Sequence, residues 1–274
     1  MSGSNLRKRV FSASIILLIL LLATVFFKAR GFFVIGLIVC AGGIFEYTQL
    51  VLRSLNQKLW VTLIYVLLSL SLLAAGAFGS PQQSLFIFFG FLPFFAAIAL
   101  WSKRTAQDIF STQPFVAYSA LGFIYAALIP GITLHLLFSH QGVKWFSLLL
   151  IVVFVGDIAA YFGGSILKGP KLMPLVSPNK TISGAICGLC ASSGLGVFAI
   201  HWLHLPVSMI VAFFICLTAN LLAQSGDLFE SLLKRVSNVK DSGYFLAGHG
   251  GVLDRLDGVY FAAPVILCAA HWFS

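Results

Sequence analysis

The stretch "WFSLLLIVVFVGDIAAYFGGSIL" occupies Trp145 to Leu167, and Asp157 is its one charged residue. It is a continuous apolar run close to the ~20 residues a helix needs to cross a bilayer. Its apolar residues do not alternate with polar ones, as they would in a barrel strand. In lipid no water satisfies the backbone, so such a run must be a helix. Similar runs recur along the chain. The candidate spans are 10–27, 31–53, 59–79, 84–101, 115–138, 145–167, 182–203, 205–225 and 258–274. The chain is 59% hydrophobic and 9% charged, with a mean hydropathy of +1.01. The expected fold class is therefore an all-α polytopic membrane protein with about nine transmembrane helices. Its longest polar stretch, Ser225 to Gly258, is shorter than an ordinary soluble domain. Two regions are expected. Residues 1–144 form an N-terminal membrane region, and residues 145–274 carry the chemistry together with two polar loops. Pro130-Gly131 predicts a kink in the fifth span.

The net charge of +9 reads first as topology. With the N-terminus in the cytoplasm, only Lys28, Arg30 and Lys144 of the 17 basic residues fall outside. The other 14 lie on the cytoplasmic side, which favours N-in and C-out. Arg7, Lys8 and Arg9 precede the first apolar run as in a signal peptide, but no small-residue cleavage site follows, so a retained helix is expected. Orientation accounts for the positive charge without nucleic acid. The five cysteines lie in apolar runs and read as small buried hydrophobes, Cys187-x-x-Cys190 included. His135, His140, His201, His204 and His271 lie near the outer ends of spans and read as interfacial.

Five of the eight acidic residues fall between positions 227 and 257. Asp227, Glu230, Ser231 and Lys234 share one helical face if the eighth span continues into the cytoplasm. Asp254 and Asp257, three apart, face the same way on a helix start. They either cap that helix or hold a cation between them. Oxygen-only ligands favour Mg²⁺ over zinc. The preceding His249, Gly250 and Gly251 let backbone N–H groups approach a phosphate, with Arg255 as a clamp. These features together describe a nucleotide polyphosphate site. Asp157, Tyr161 and Gly164 lie on one face of the sixth span, and a carboxylate inside a span is a functional candidate by default. Glu46 is open between a structural partner and a cavity residue. The segment KGPKLMPLVSPNKT, Lys168 to Thr181, reads as a semi-rigid basic loop. It is either a positive-inside signal or a clamp for phosphate or a lipid headgroup.

From Ser231 to Asp257 the chain reads SLLKRVSNVKDSGYFLAGHGGVLDRLD. This closely resembles the signature of the phosphatidate cytidylyltransferases, the CDP-diacylglycerol synthases. The matching elements are Ser231, Lys234-Arg235, Lys240-Asp241, His249-Gly250-Gly251 and Asp254-Arg255-Leu256-Asp257. The likeness reaches upstream through Gly226-Asp227, Ser177-Pro178 with Lys180-Thr181, and Asp157 with Ala160-Tyr161. It departs at Ala247, where the family has proline, and at Gly258, where it has serine. It departs again at Ile182-Ser183-Gly184, in place of Trp-Glu-Gly.

The resemblance implies CTP and phosphatidate as substrates, CDP-diacylglycerol and pyrophosphate as products, and Mg²⁺ as cofactor, with K⁺ open as an accompanying ion. It implies catalytic roles for Asp227, Asp254, Asp257, Lys240 and Asp241. Asp227, Asp254 and Asp257 are the metal set, with Asp157 as a fourth ligand or its neighbour. His249, Gly250, Gly251 and Arg255 hold the triphosphate. Ser177, Lys180, Lys234, Arg235 and Tyr161 contact substrate. The expected setting is a bacterial inner membrane with the active site facing the cytoplasm, and a homodimer is open. Two alternatives stand beside this: a CTP-using enzyme acting on another lipid, such as a polyprenol kinase, and an ion-coupled transporter. A transporter distributes its acids within spans, whereas here they concentrate in one polar segment.

Overall fold

The computed structural model describes residues 29–52, 58–102, 106–237, 239, 243 and 251–273, with backbone alone for 52 and 106–111. Eight helices among them are long and apolar enough to cross a membrane. Each overlaps one predicted span, and the chain is a multi-pass membrane protein. The first predicted span, 10–27, lies outside the described residues.

Two compact units divide the described residues. The first holds those up to His135 together with those of Ser237–Asp254. Helix α1 covers residues 29–47 and passes into a π-helical turn, Thr48–Leu52. Then come α2, Leu59–Phe78, and α3, Pro81–Trp101, whose Ser80 and Gln83 form a reciprocal capping box. Helix α4, Ala106–Gly122, runs into a π-helical stretch, Phe123–Leu128, and then into the short α5, Ile129–His135. A kink is expected at Pro130-Gly131; the structure has the π-helical stretch Phe123–Leu128 just before it. Proline cannot donate to the carbonyl one turn back, and the extra residue of a π turn absorbs the mismatch. Tyr65, Phe95, Phe115 and Phe123 form the aromatic core, with Tyr65–Phe123 centroids 4.9 Å apart. Helix α2 meets α5 at glycines: a Cβ on Gly131 would lie 2.7 Å from the Leu73 carbonyl.

The second unit holds Leu136–Val236 and the described residues from Arg255 onward. It contains α6, Gly142–Leu167, then β1, Lys171–Met173, and β2, Ser177–Thr181. Helix α7 follows at Ile182–Trp202 and α8 at Met209–Val236. Most of α9, Leu253–Phe273, also belongs here. Helices α6 and α7 pack through small residues. A Cβ on Gly184 would sit 2.6 Å from the Ala160 carbonyl, and one on Gly188 would sit 2.8 Å from that of Gly156. Two glycines four apart let backbones approach where lipid supplies no hydrophobic drive between helices.

Three boundaries differ from expectation in ways that matter for function. Helix α8 continues to Val236 instead of ending at 225, so Asp227, Glu230 and Lys234 do share a helix. The buried Glu230 pairs with Lys234 one turn on. Helix α9 begins at Leu253 instead of 258, which places Asp254 and Asp257 in its first turns. The basic segment after α6 is an antiparallel hairpin, not a loop, with Lys171 opposite Thr181 and Met173 opposite Ser177.

Candidate functional site

Within the second unit, the end of α6, the hairpin, the start of α7 and the middle of α8 enclose a cavity of about 690 Å³. Helix α6 stops because Lys168 (φ 55°) and Gly169 (φ 110°) both take left-handed backbone, which turns the chain sharply. The hairpin is then pinned at its base. The Ile182 N–H donates to the Pro170 carbonyl at 3.0 Å, and the Ser183 hydroxyl donates to the Lys168 carbonyl. Thr181 caps α7 by accepting from the Gly184 N–H at 3.1 Å. Ser183 thus takes a closing role at the position where the resembling family carries glutamate.

This base aims Lys180 inward. Its Nζ lies 2.5 Å from Oδ2 of Asp227. Asp157 and Tyr161 line the same cavity from α6, along with Lys168 and Lys171. Asp257 is buried and accepts from the Gly258 N–H at 2.7 Å. It lies within electrostatic range of both Asp227 and Asp157. Helices α8 and α9 come close enough for this because Gly226 has no side chain: a Cβ there would lie 2.5 Å from the Asp257 carbonyl.

The structure also brings in Asn220 and Gln224. Buried Asn220 donates to the Val152 carbonyl at 3.1 Å. Gln224 Nε2 donates both to Asn220 Oδ1 at 2.8 Å and to the Ala185 carbonyl at 3.1 Å. One polar chain therefore ties α8 to α6 and α7 one turn before Asp227, and Gln224 lines the cavity. Asn220, Gln224 and Asp227 share a helical face, a signal present in the sequence. Lys168 and Lys171 are further additions, legible beforehand only as loop charge.

Other described candidates are not among the residues lining this cavity. Ser177 is on β2 opposite Met173 and does not line the cavity. Lys234 is engaged with Glu230, and Arg235 Nε donates to the Val176 carbonyl at 3.2 Å, bracing the hairpin turn. In the first unit, Asp254 Oδ2 accepts from the Gly251 N–H at 2.9 Å, a helix-capping contact. Arg255 is exposed on α9. Lys240, Asp241, His249 and Gly250 lie outside the described residues.

The cavity's donors suit Mg²⁺. They are carboxylate, amide and hydroxyl oxygens, with no thiol or imidazole among the lining side chains. The Lys180 ammonium already rests where a cation is favoured. Among the described residues no three such groups close into a cage around one ion. Mg²⁺ does not require one, because it keeps several waters and completes its shell with substrate phosphate.

Comparison with known proteins adds family to geometry. The sequence profile described as the cytidylyltransferase family matches residues 7–273. A phosphatidate cytidylyltransferase of Brucella suis biovar 1 (strain 1330) is 42% identical over 151 residues, 54% of this chain and 55% of that protein. One from Helicobacter pylori (strain ATCC 700392 / 26695) is 36% identical over 203 residues, 73% of this chain and 69% of that one. One from Rickettsia felis is 34% identical over 194 residues, 64% and 86% of the respective chains. The chain spans about half, 55%, of the length of the Brucella relatives it matches.

Proposed function

This chain belongs to the cytidylyltransferase family, and from that premise we propose that it transfers CMP from CTP to phosphatidate. The observation that carries the reading is the cavity in which three lysines, Lys168, Lys171 and Lys180, meet Asp157 and Asp227 beside the apolar helix α6. Both proposed substrates are phosphate anions, and one is a lipid. The exposed Tyr161, Phe162 and Ile166 on α6 offer the apolar flank along which a lipid enters sideways. The partition of basic residues supports a cavity facing the cytoplasm, and the bacterial relatives support a bacterial inner membrane as the setting.

The chemistry then needs little proton transfer. A phosphate monoester is largely ionised near pH 7. One of its oxygens attacks the α-phosphorus of CTP and forms a new P–O bond. The bond from that phosphorus to the bridging oxygen breaks, and its electron pair leaves on pyrophosphate. Positioning and charge stabilisation make up most of the catalysis. The lysines gather the two anions and offset their repulsion. Asp227, with Asp157 and Asp257 in range, would hold Mg²⁺, which when bound supplies charge neutralisation at the phosphates. Gln224 and Asn220 keep α8 in register so that Asp227 meets Lys180.

The test is purified chain in phosphatidate-containing vesicles with Mg²⁺ and CTP labelled at either the α- or the γ-phosphate. Label from the α-phosphate should appear in CDP-diacylglycerol. Lipid labelled from the γ-phosphate identifies a kinase and overturns the proposal, as does absence of any lipid product.

A further inference from the structure

We infer that Glu46, on the first described membrane helix, is a positioning residue that fixes the first turn of α9 and with it the direction of Asp254. The inference rests on the proposed cytidylyl transfer. A carboxylate within a membrane span is costly unless bonded, and Glu46 is only 6% exposed. Its Oε2 accepts from the Leu253 N–H at 3.0 Å, across 207 positions of sequence. Leu253 opens α9, and the first N–H groups of a helix have no partner within it. The positive end of the helix dipole also favours a carboxylate there.

A second, independent observation places the same side chain against Gly243. A Cβ on Gly243 would lie 2.5 Å from Glu46 Oε1 and 2.8 Å from its Cγ. Glycine is therefore the residue that lets the chain pass beside the carboxylate. The capping bond from the Gly251 N–H to Asp254 Oδ2 closes the same turn. Glu46 thus holds Leu253, the next residue carries Asp254, and Asp254 is tied back to Gly251. Loosening the first contact frees the turn, and where Asp254 serves the proposed transfer, as the family signature implies, its misplacement by about 1 Å costs roughly 10²-fold in rate.

The experiment uses the full chain in vesicles and compares Glu46→Ala, Glu46→Gln and Gly243→Ala with the parent. Glutamine keeps an acceptor oxygen for the Leu253 N–H, whereas alanine does not. The expected result for Glu46→Ala is a fall in kcat of about 10²-fold, with the KM for CTP much less changed. Hydrogen exchange should rise in the peptide over 251–257 but not in α7. Glu46→Gln should recover most of the activity and protection. Gly243→Ala, which pushes the carboxylate aside, should resemble Glu46→Ala. Parent-like kcat and exchange in Glu46→Ala overturn the inference. Exchange rising equally throughout the chain, with no recovery by glutamine, overturns it in favour of a general folding role. If the parent makes no CDP-diacylglycerol, the proposed reaction falls, while the exchange comparison still decides whether Glu46 holds α9.

Discussion

Replacing Lys180 by methionine removes the ammonium that sits 2.5 Å from Asp227 Oδ2 and keeps most of the aliphatic stem. The structure separates two consequences. The pair is partly solvated, at 26% and 39% side-chain exposure. An ion pair so placed contributes about 0–1 kcal/mol to stability once side-chain ordering and screening are counted. For a chain of this size that corresponds to a shift of at most about 4 °C in Tm. Its effect on rate should be far larger. In the proposed reaction Lys180 faces charge that builds on the phosphates, and removing one preorganised charge stabiliser costs about 10²–10³-fold. Lys180→Met should therefore unfold in detergent near the parent's temperature while kcat/KM for CTP falls by about 10²-fold or more. Raising Mg²⁺ should recover part of the loss, because a divalent ion offsets the same charge. CDP-diacylglycerol formation by this variant within threefold of the parent would refute the reasoning and leave the pair as a brace between the hairpin and α8. A large fall in Tm would refute it differently, by showing that the pair is structural.

Gly184→Ala should lower thermal stability by about 1–3 kcal/mol, because its Cβ meets the Ala160 backbone carbonyl at 2.6 Å; a parent-like melting curve counts against the close α6–α7 approach. Gln224→Leu removes the donor to Asn220 Oδ1 and should cost about 1–3 kcal/mol, measured by the same melt, with Asn220 and Gln224 replaced together costing less than the sum. Asp254→Asn keeps a cap but loses its charge, so a metal role predicts roughly a thousandfold slower transfer, and near-normal turnover at low Mg²⁺ reduces Asp254 to the capping contact it makes with Gly251. A cysteine at Leu175, which is 93% exposed in the hairpin turn, placed in a cysteine-free chain, should be labelled by an impermeant maleimide only from the cytoplasmic side; labelling in intact cells from outside reverses the topology.

The sequence by itself determined the helices. A bilayer offers the backbone no partners, so every apolar run long enough to cross must satisfy its hydrogen bonds internally, and that constraint is local. Hence the runs ending in Phe78, Trp101 and Leu167 could be read within a few residues. The spacing of Asp227, Glu230 and Lys234 put them on one face only if the eighth span continued past 225, and α8 does continue, to Val236. The hairpin from Lys171 to Thr181 was not legible, because its two prolines and scattered lysines show no strand alternation. It is held instead by Thr181 and Ser183 contacts at the foot of α6 and α7. Which charges meet was decided by tertiary structure alone. Lys180 and Asp227 stand 47 positions apart, and Glu46 and Leu253 stand 207 apart. Helical periodicity orders residues around one axis and is silent about which axes pack together. Here that choice is made by small residues, Gly184 and Gly188 against α6 and Gly226 against α9, whose missing side chains let the backbones approach and so bring the carboxylates and lysines together.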